Sequence, residues 1–220
     1  MVADRPVRDE SGHRRLLMRG MAMGIGLVSV LLVSEIAIRI LAPFPMFVHE
    51  MNRAYPADQF DERYGWCGMP SLDTPFALWE FSTRIQHNDM GFRDESFSAK
   101  LDVAPDKHRV VFLGDSYAWG WGVEPEMRIT EQLEALDPTV VTINLGQAGY
   151  GTDQQYLVLR DLGAQLRPDT VVVLFCCNDF EDISKRIAYR QRKPQFVVEG
   201  DAIQLTGVPV PDDRDWWARK

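Results

Sequence analysis

Three short runs of β-branched and apolar residues constrain the fold more than any other feature of the chain: residues 109–114 (RVVFLG), 139–145 (TVVTINL) and 170–176 (TVVVLFC). Each is nearly continuous in apolar character, as strands buried on both faces of a parallel sheet must be. Between them, residues 126–136 and 153–166 are long enough for helices and show amphipathic spacing. The alternation predicts two right-handed crossovers and an α/β fold, a three-layer α/β/α sandwich around a parallel sheet. Pro168 and Asp169 mark the turn into the third run, and residues 195–207 (QFVVEGDAIQLTG) read as a β-hairpin turning at Glu199, Gly200 and Asp201.

With 220 residues the chain can hold one ordinary core plus a short appendage. A formal net charge of −8, with no concentration of Lys and Arg beyond the N-terminus, argues against a nucleic-acid partner. The three cysteines are Cys67 and the adjacent Cys176 and Cys177, an odd count that makes no disulfide framework. Cys176 and Cys177 read as small buried hydrophobes on opposite sides of a strand. The four histidines are scattered, so neither a metal centre nor another cofactor is expected.

The N-terminus carries a different signal. Residues 20–34 are uncharged and mostly apolar, and apart from Glu35 the character continues to Ile38. A helix over residues 20–38 would be about 28 Å long, close to the hydrocarbon thickness of a bilayer. Glu35 and Arg39 share a face near its end, and Pro43 and Pro45 stop it. Arg5, Arg8, Arg14, Arg15 and Arg19 precede the span, which predicts a cytoplasmic N-terminus and a domain facing outward. Small residues do not fall at the spacing a signal peptidase needs, so an uncleaved anchor is favoured over a cleaved signal peptide. The expected organisation is a cytoplasmic segment 1–19, a transmembrane signal anchor 20–42, an irregular linker 43–81 rich in Pro, Gly and charge, and a domain over 82–220. Within the last, Asn88, Asp89 and Gly91 supply turn chemistry after an aromatic strand, and Arg93 reads as a surface residue.

In open α/β sheets ligands sit beyond the carboxyl ends of the strands, so the residues just after each run are where chemistry is sought. Gly114-Asp115-Ser116-Tyr117 places a hydroxyl nucleophile after the first run. After the second, Asn144, Gly146, Gly149 and Gly151 leave backbone N–H groups open to an oxygen, and after the third Asn178-Asp179 offers a side-chain amide. A hydroxyl beside such donors is what acyl transfer needs. Asp115 and Ser116 also suit a helix N-cap, and the glycine spacing is not that of a dinucleotide-binding loop. Trp119 and Trp121 either line a pocket or pack over the glycine-rich loop.

These three loops, in this order, resemble blocks I, II and III of the SGNH (GDSL-type) hydrolases, the membrane-anchored bacterial members in particular, and the resemblance covers about residues 82–210. It implies Ser116 as nucleophile, with Ser116 N–H, Gly149 N–H and the Asn178 side chain as oxyanion hole. Asp115 and Asp179 would orient loops. Two departures stand out: Cys176 occupies the position where block III begins with Gly, and the family's late Asp-x-x-His block has no counterpart, since no His follows Ser116. His108 lies a strand's length from Ser116, which leaves His87 as the only histidine placed to substitute. The simplest reading is a C-terminally incomplete domain of feeble activity, ending just after Trp216 and Trp217. The implied function is an extracytoplasmic ester hydrolase acting on a small acyl ester or acylated glycan. The alternatives are a polysaccharide O-acyltransferase of the same fold and a non-catalytic binding module.

Overall fold

A computed structural model describes residues 10–41, 57–78, 80–103 and 106–212. The chain divides into two units, Met1–Glu50 and Met51–Lys220. The first contains helix α1 (Glu10–Leu41), whose side chains are exposed from Arg14 to Ile36. Its segment Arg14–Ala37 is long and apolar enough to cross a membrane, as an anchor or a signal sequence would be. The helix starts ten residues before the span expected from hydropathy, because the basic flank is itself a good helix former. Arg5, Arg8, Pro43, Pro45, His49, Trp216 and Trp217 lie outside the described residues.

The second unit is an α/β fold built on a parallel sheet of three strands, β5 (His108–Gly114), β6 (Val140–Asn144) and β7 (Thr170–Leu174), in the order β6-β5-β7. Register is continuous: Val111 lies opposite Ile143 on one side and Val171 on the other. The central strand is buried on both faces, each against different partners. Val111 and Leu113 pack with Leu157, Val158 and Leu166 of helix α5 (Thr152–Leu166) and with Phe97 of α2 (Phe97–Val103). Val110 and Phe112 pack with Leu133 of α4 (Ile129–Leu136), which a 3-10 turn, Pro125–Met127, precedes.

β7 departs from the expectation of a strand buried on both faces. It is an edge strand, with Val171 37% and Val173 47% exposed. An apolar run marks a strand but does not show that both its faces are covered: β6, the other edge strand, is buried throughout.

The stretch read as irregular linker is also corrected over its described part. Residues 57–77 form β1 (Asp58–Asp61) and β2 (Gly65–Gly68), an antiparallel pair, and β3 (Asp73–Ala77), which pairs with β4 (Ser82–Gln86). Tyr64, Trp66 and Phe76 are buried in the cores of the second unit. Trp66 donates its indole N–H to the Ala148 carbonyl (3.0 Å), and Tyr150 donates its hydroxyl to the Trp66 carbonyl. The supposed linker therefore forms part of the scaffold under the second loop.

The Asn88 turn closes this scaffold. Asn88 Oδ1 accepts from the N–H groups of Met90 and Phe92, both at 3.0 Å, and Gly91 takes φ +87° where its backbone touches Gly68. Arg93 is fully buried rather than on the surface. It donates to the carbonyls of Gly120, Arg84 and Val123 and lies over the Trp119 ring. The charge is tolerated inside because backbone carbonyls from two segments accept from its two terminal nitrogens. Trp119 and Trp121 join Phe76 and Phe81 in an aromatic cluster instead of opening into a pocket.

Candidate active site

The first loop follows β5. Asp115 caps the short helix α3 (Ser116–Trp119), its Oδ1 accepting the Tyr117 N–H at 3.0 Å. Ser116 is half-buried beside an exposed Tyr117, and its hydroxyl makes no hydrogen bond among the described residues. The N-cap role and a chemical role for Ser116 are compatible, because Asp115 does the capping.

The second loop follows β6 and is locked to the first. Asn144 Nδ2 donates to the Ala118 carbonyl (2.8 Å), and Gln147 N–H donates to the Gly114 carbonyl (3.1 Å). A Cβ at Gly146 would stand 2.6 Å from that of Ala118, so this position accepts only glycine without movement of the helix. Gln147 to Tyr150 form a turn closed by a 3.1 Å bond from the Tyr150 N–H, with Gly149 at φ +78°. A type II turn requires glycine there. The backbone N–H groups of Ser116 and Gly149 are left without an acceptor among the described residues.

The third loop follows β7 and leads into the short helix α6 (Asp179–Asp182). Buried Asp179 ties it to the second loop: Oδ1 accepts from Thr152 Oγ1 and Gln155 Nε2, both at 3.0 Å, and Oδ2 accepts from the Cys176 N–H at 2.7 Å. Half-buried Asn178 ties it to the first loop, its Nδ2 lying 3.1 Å from Asp115 Oδ2 and 3.2 Å from Asp182 Oδ2. Burial raises the Asp115 carboxyl above the usual range, and the Tyr117 N–H and Asn178 amide partly offset that. So the structure brings the loops bearing Ser116, Gly149 and Asn178 together through direct hydrogen bonds, with Asp115 and Asp179 as two of the ties.

The cysteine expectation fails here, and the alternative of His87 as a substitute base gains no support. Cys176 and Cys177 lie beyond the end of β7 in the loop, Cys176 half-buried and Cys177 exposed, instead of packing as core residues. His87 does not reach the nucleophile by any hydrogen bond among the described residues. Its Nδ1–H donates to the Met69 carbonyl at 3.0 Å and its ring stands edge-on to Trp119. Burial pushes its pKa down to about 4. His108 sits at the opposite end of β5, with Nε2 2.8 Å from Thr170 Oγ1.

The structure also adds residues that no motif points to. Asp182, one helical turn after Asn178, is 2% exposed and accepts from Asn178, Lys185 and the Tyr189 hydroxyl. Spacing of four residues is the one sequence signal that could have linked it to Asn178. Asp153 and Lys193 form a buried ion pair at the start of α5.

Residues 112–206 match the model of the GDSL-like Lipase/Acylhydrolase family. No curated protein matches the chain.

Proposed function

Residues 112–206 are a segment of the SGNH/GDSL-type hydrolase family, and from that premise we propose that the chain carries the nucleophile and oxyanion hole of a serine ester hydrolase. Ser116 Oγ would bond to the acyl carbonyl carbon while its proton passes to a base. The carbonyl oxygen gains negative charge, the bond to the alcohol oxygen breaks, and the alcohol leaves with a proton. Water would then release the acyl group from Ser116. The observation that carries this reading is the pair of uncommitted N–H groups, on Ser116 and Gly149, in loops that hydrogen bonds join to each other and to the loop of Asn178. Helices on both faces of β5 support the three-layer α/β/α arrangement that the expected chemistry uses.

The basic N-terminal flank and apolar α1 support a membrane anchor with the catalytic unit on the outer side, where acylated glycans of a cell envelope are the substrate class to test. No histidine follows Ser116 in these 220 residues, and no hydrogen bond joins its hydroxyl to a base among the described residues, so turnover should be slow. Added imidazole supplies a base. Release of acetate from an aryl acetate should rise with imidazole in the wild type beyond its background rate, and Ser116→Ala should abolish the increment. A serine-directed fluorophosphonate should modify Ser116 and no other serine. Equal imidazole response in Ser116→Ala, or modification elsewhere, overturns the reading. Transfer of acetyl to an added oligosaccharide, in place of release to water, would redirect it to an acyltransferase.

A further inference from the structure

Strands β8 (Ile187–Ala188) and β9 (Gln191–Arg192) pair antiparallel, with Ala188 opposite Gln191, so Tyr189 and Arg190 alone form the connecting turn. Both have positive φ, +50° and +65°. Two-residue turns of this kind favour Asn-Gly, because a non-glycine residue is strained in the left-handed region. The surroundings hold the turn in place. Lys193 is ion-paired with buried Asp153, its N–H donates to the Arg186 carbonyl at 3.0 Å, and Gln191 Nε2 donates to Asp58 Oδ2 at 2.8 Å.

The strained turn puts one side chain into the candidate site. The Tyr189 ring lies against Gly149, its Cδ2 and Cε2 only 2.9 and 3.0 Å from where a Cβ on that glycine would stand. Its hydroxyl donates to Asp182 Oδ2 at 3.1 Å, the same oxygen that accepts from Asn178 Nδ2. Tyr189 therefore touches Gly149, lies beside Asn178, and shares with it the acceptor Asp182 Oδ2. Burial, with the Asp182 charge as the next cause, raises the phenol above its ordinary value, so it stays a protonated donor.

Asn178 faces a conflict that this arrangement resolves. Its Nδ2 has two hydrogens, and both carboxylates beside it, Asp115 and Asp182, take one each. To meet an oxyanion the amide must turn one N–H away from a carboxylate that is almost fully buried, and an abandoned buried acceptor is costly. Resting on the reading of Ser116, Gly149 and Asn178 given above, we propose that Tyr189 is a positioning residue of the site: its hydroxyl keeps Asp182 hydrogen-bonded when Asn178 turns its amide toward the oxyanion.

Tyr189→Phe keeps the ring on Gly149 and removes only the hydroxyl, which makes it the informative variant. The rate of Ser116 modification by a fluorophosphonate, in imidazole buffer, should fall about tenfold in Tyr189→Phe, with the concentration for half-saturation little changed. Asn178→Ala should also be slow. Adding Tyr189→Phe to Asn178→Ala should then cause no further loss, because the hydroxyl acts through that amide. A merely structural tyrosine would give the same fractional loss in both backgrounds. That result overturns the proposal, as does a wild-type rate in Tyr189→Phe. Should Tyr189→Phe melt early, the Asn178 side-chain amide resonances of the wild type decide: they should shift on phosphonylation together with the Tyr189 ring signals, and independence of the two sets overturns it. Absence of any Ser116 modification in the wild type would instead bring down the ester-hydrolase reading, a distinct outcome that takes this proposal with it.

Discussion

Asn178 Nδ2 lies 3.1 Å from Asp115 Oδ2, and this one hydrogen bond joins the end of β7 to the residue before Ser116 across 63 positions of sequence. Asp115 thereby does two things at once, since its other oxygen caps α3. Asp115→Ala should lose about 1 kcal/mol from the cap alone. It should also slow fluorophosphonate modification of Ser116 by more than that loss of stability explains. Asp115→Asn retains an acceptor for the cap and should recover most of the stability. Urea denaturation and labelling rates on the same samples check both halves, and full labelling in Asp115→Ala would show that the Asn178 tie has no role in reactivity.

Gly149 tests the turn chemistry. At φ +78° an L side chain is strained, and the added Cβ would meet the Tyr189 ring at 2.9 Å with Trp66 3.4 Å away on another side. Gly149→Ala should cost about 1–3 kcal/mol and reduce Ser116 reactivity, because the loop must shift its N–H as it relaxes. Gly149→Ala combined with Tyr189→Ala removes the clash and should regain part of the stability, leaving the backbone strain. Thermal melting of Gly149→Ala, Tyr189→Ala and the double variant measures the two contributions separately.

The Lys193–Asp153 ion pair is buried on both sides, 0% and 1% exposed at the side chains. Burial raises the Asp153 carboxyl, and the Lys193 ammonium opposes that shift. Lys193→Met should therefore destabilise by about 3–5 kcal/mol, since it strands a carboxylate in the interior. Adding Asp153→Asn should recover part of the loss. Denaturant midpoints provide the comparison, and a Lys193→Met protein as stable as wild type would mean water reaches the pair.

How much of this was legible in the sequence differs by element. The parallel strands were readable because burial on two faces demands β-branched runs, as in residues 109–114. Which strand faces are covered was not, so exposed Val171 and Val173 came as a correction, although β6, also at the edge of the sheet, is buried throughout. The scaffold over residues 57–77 was missed because strands of four or five residues carry no measurable period, and its buried anchors Tyr64, Trp66 and Phe76 stand among Gly, Pro and charged neighbours. At the site, the loops bearing Asp115, Ser116, Gly149, Asn178 and Asp179 were picked out by their positions after strands, and the resemblance singled out Gly149 among the glycines of its loop. Tyr189 had no such signal, because its turn lacks the Asn-Gly that marks a two-residue hairpin. Arg93 was misjudged because its acceptors are backbone carbonyls, such as that of Gly120, which leave no trace in composition.

His87 gives a pH test independent of catalysis. Its pKa is pushed down to about 4, mainly by burial, against an ordinary value of 6.5. Between those values the unfolded chain binds a proton at this ring and the folded chain does not, so stability falls as pH drops. The contribution is fully present above pH about 6.5 and is lost progressively down to pH about 4, on the order of 3 kcal/mol in all. Neighbouring carboxyls titrate in the same window, so the informative quantity is the difference between wild type and His87→Asn. Asn can keep a donor on the Met69 carbonyl and has nothing to protonate. Urea midpoints measured from pH 7.5 to pH 4.5 should show wild type losing more stability than His87→Asn as the pH is lowered. Parallel slopes would mean that the ring takes up its proton inside the fold without penalty, and that the burial between Met69 and Trp119 opens to solvent.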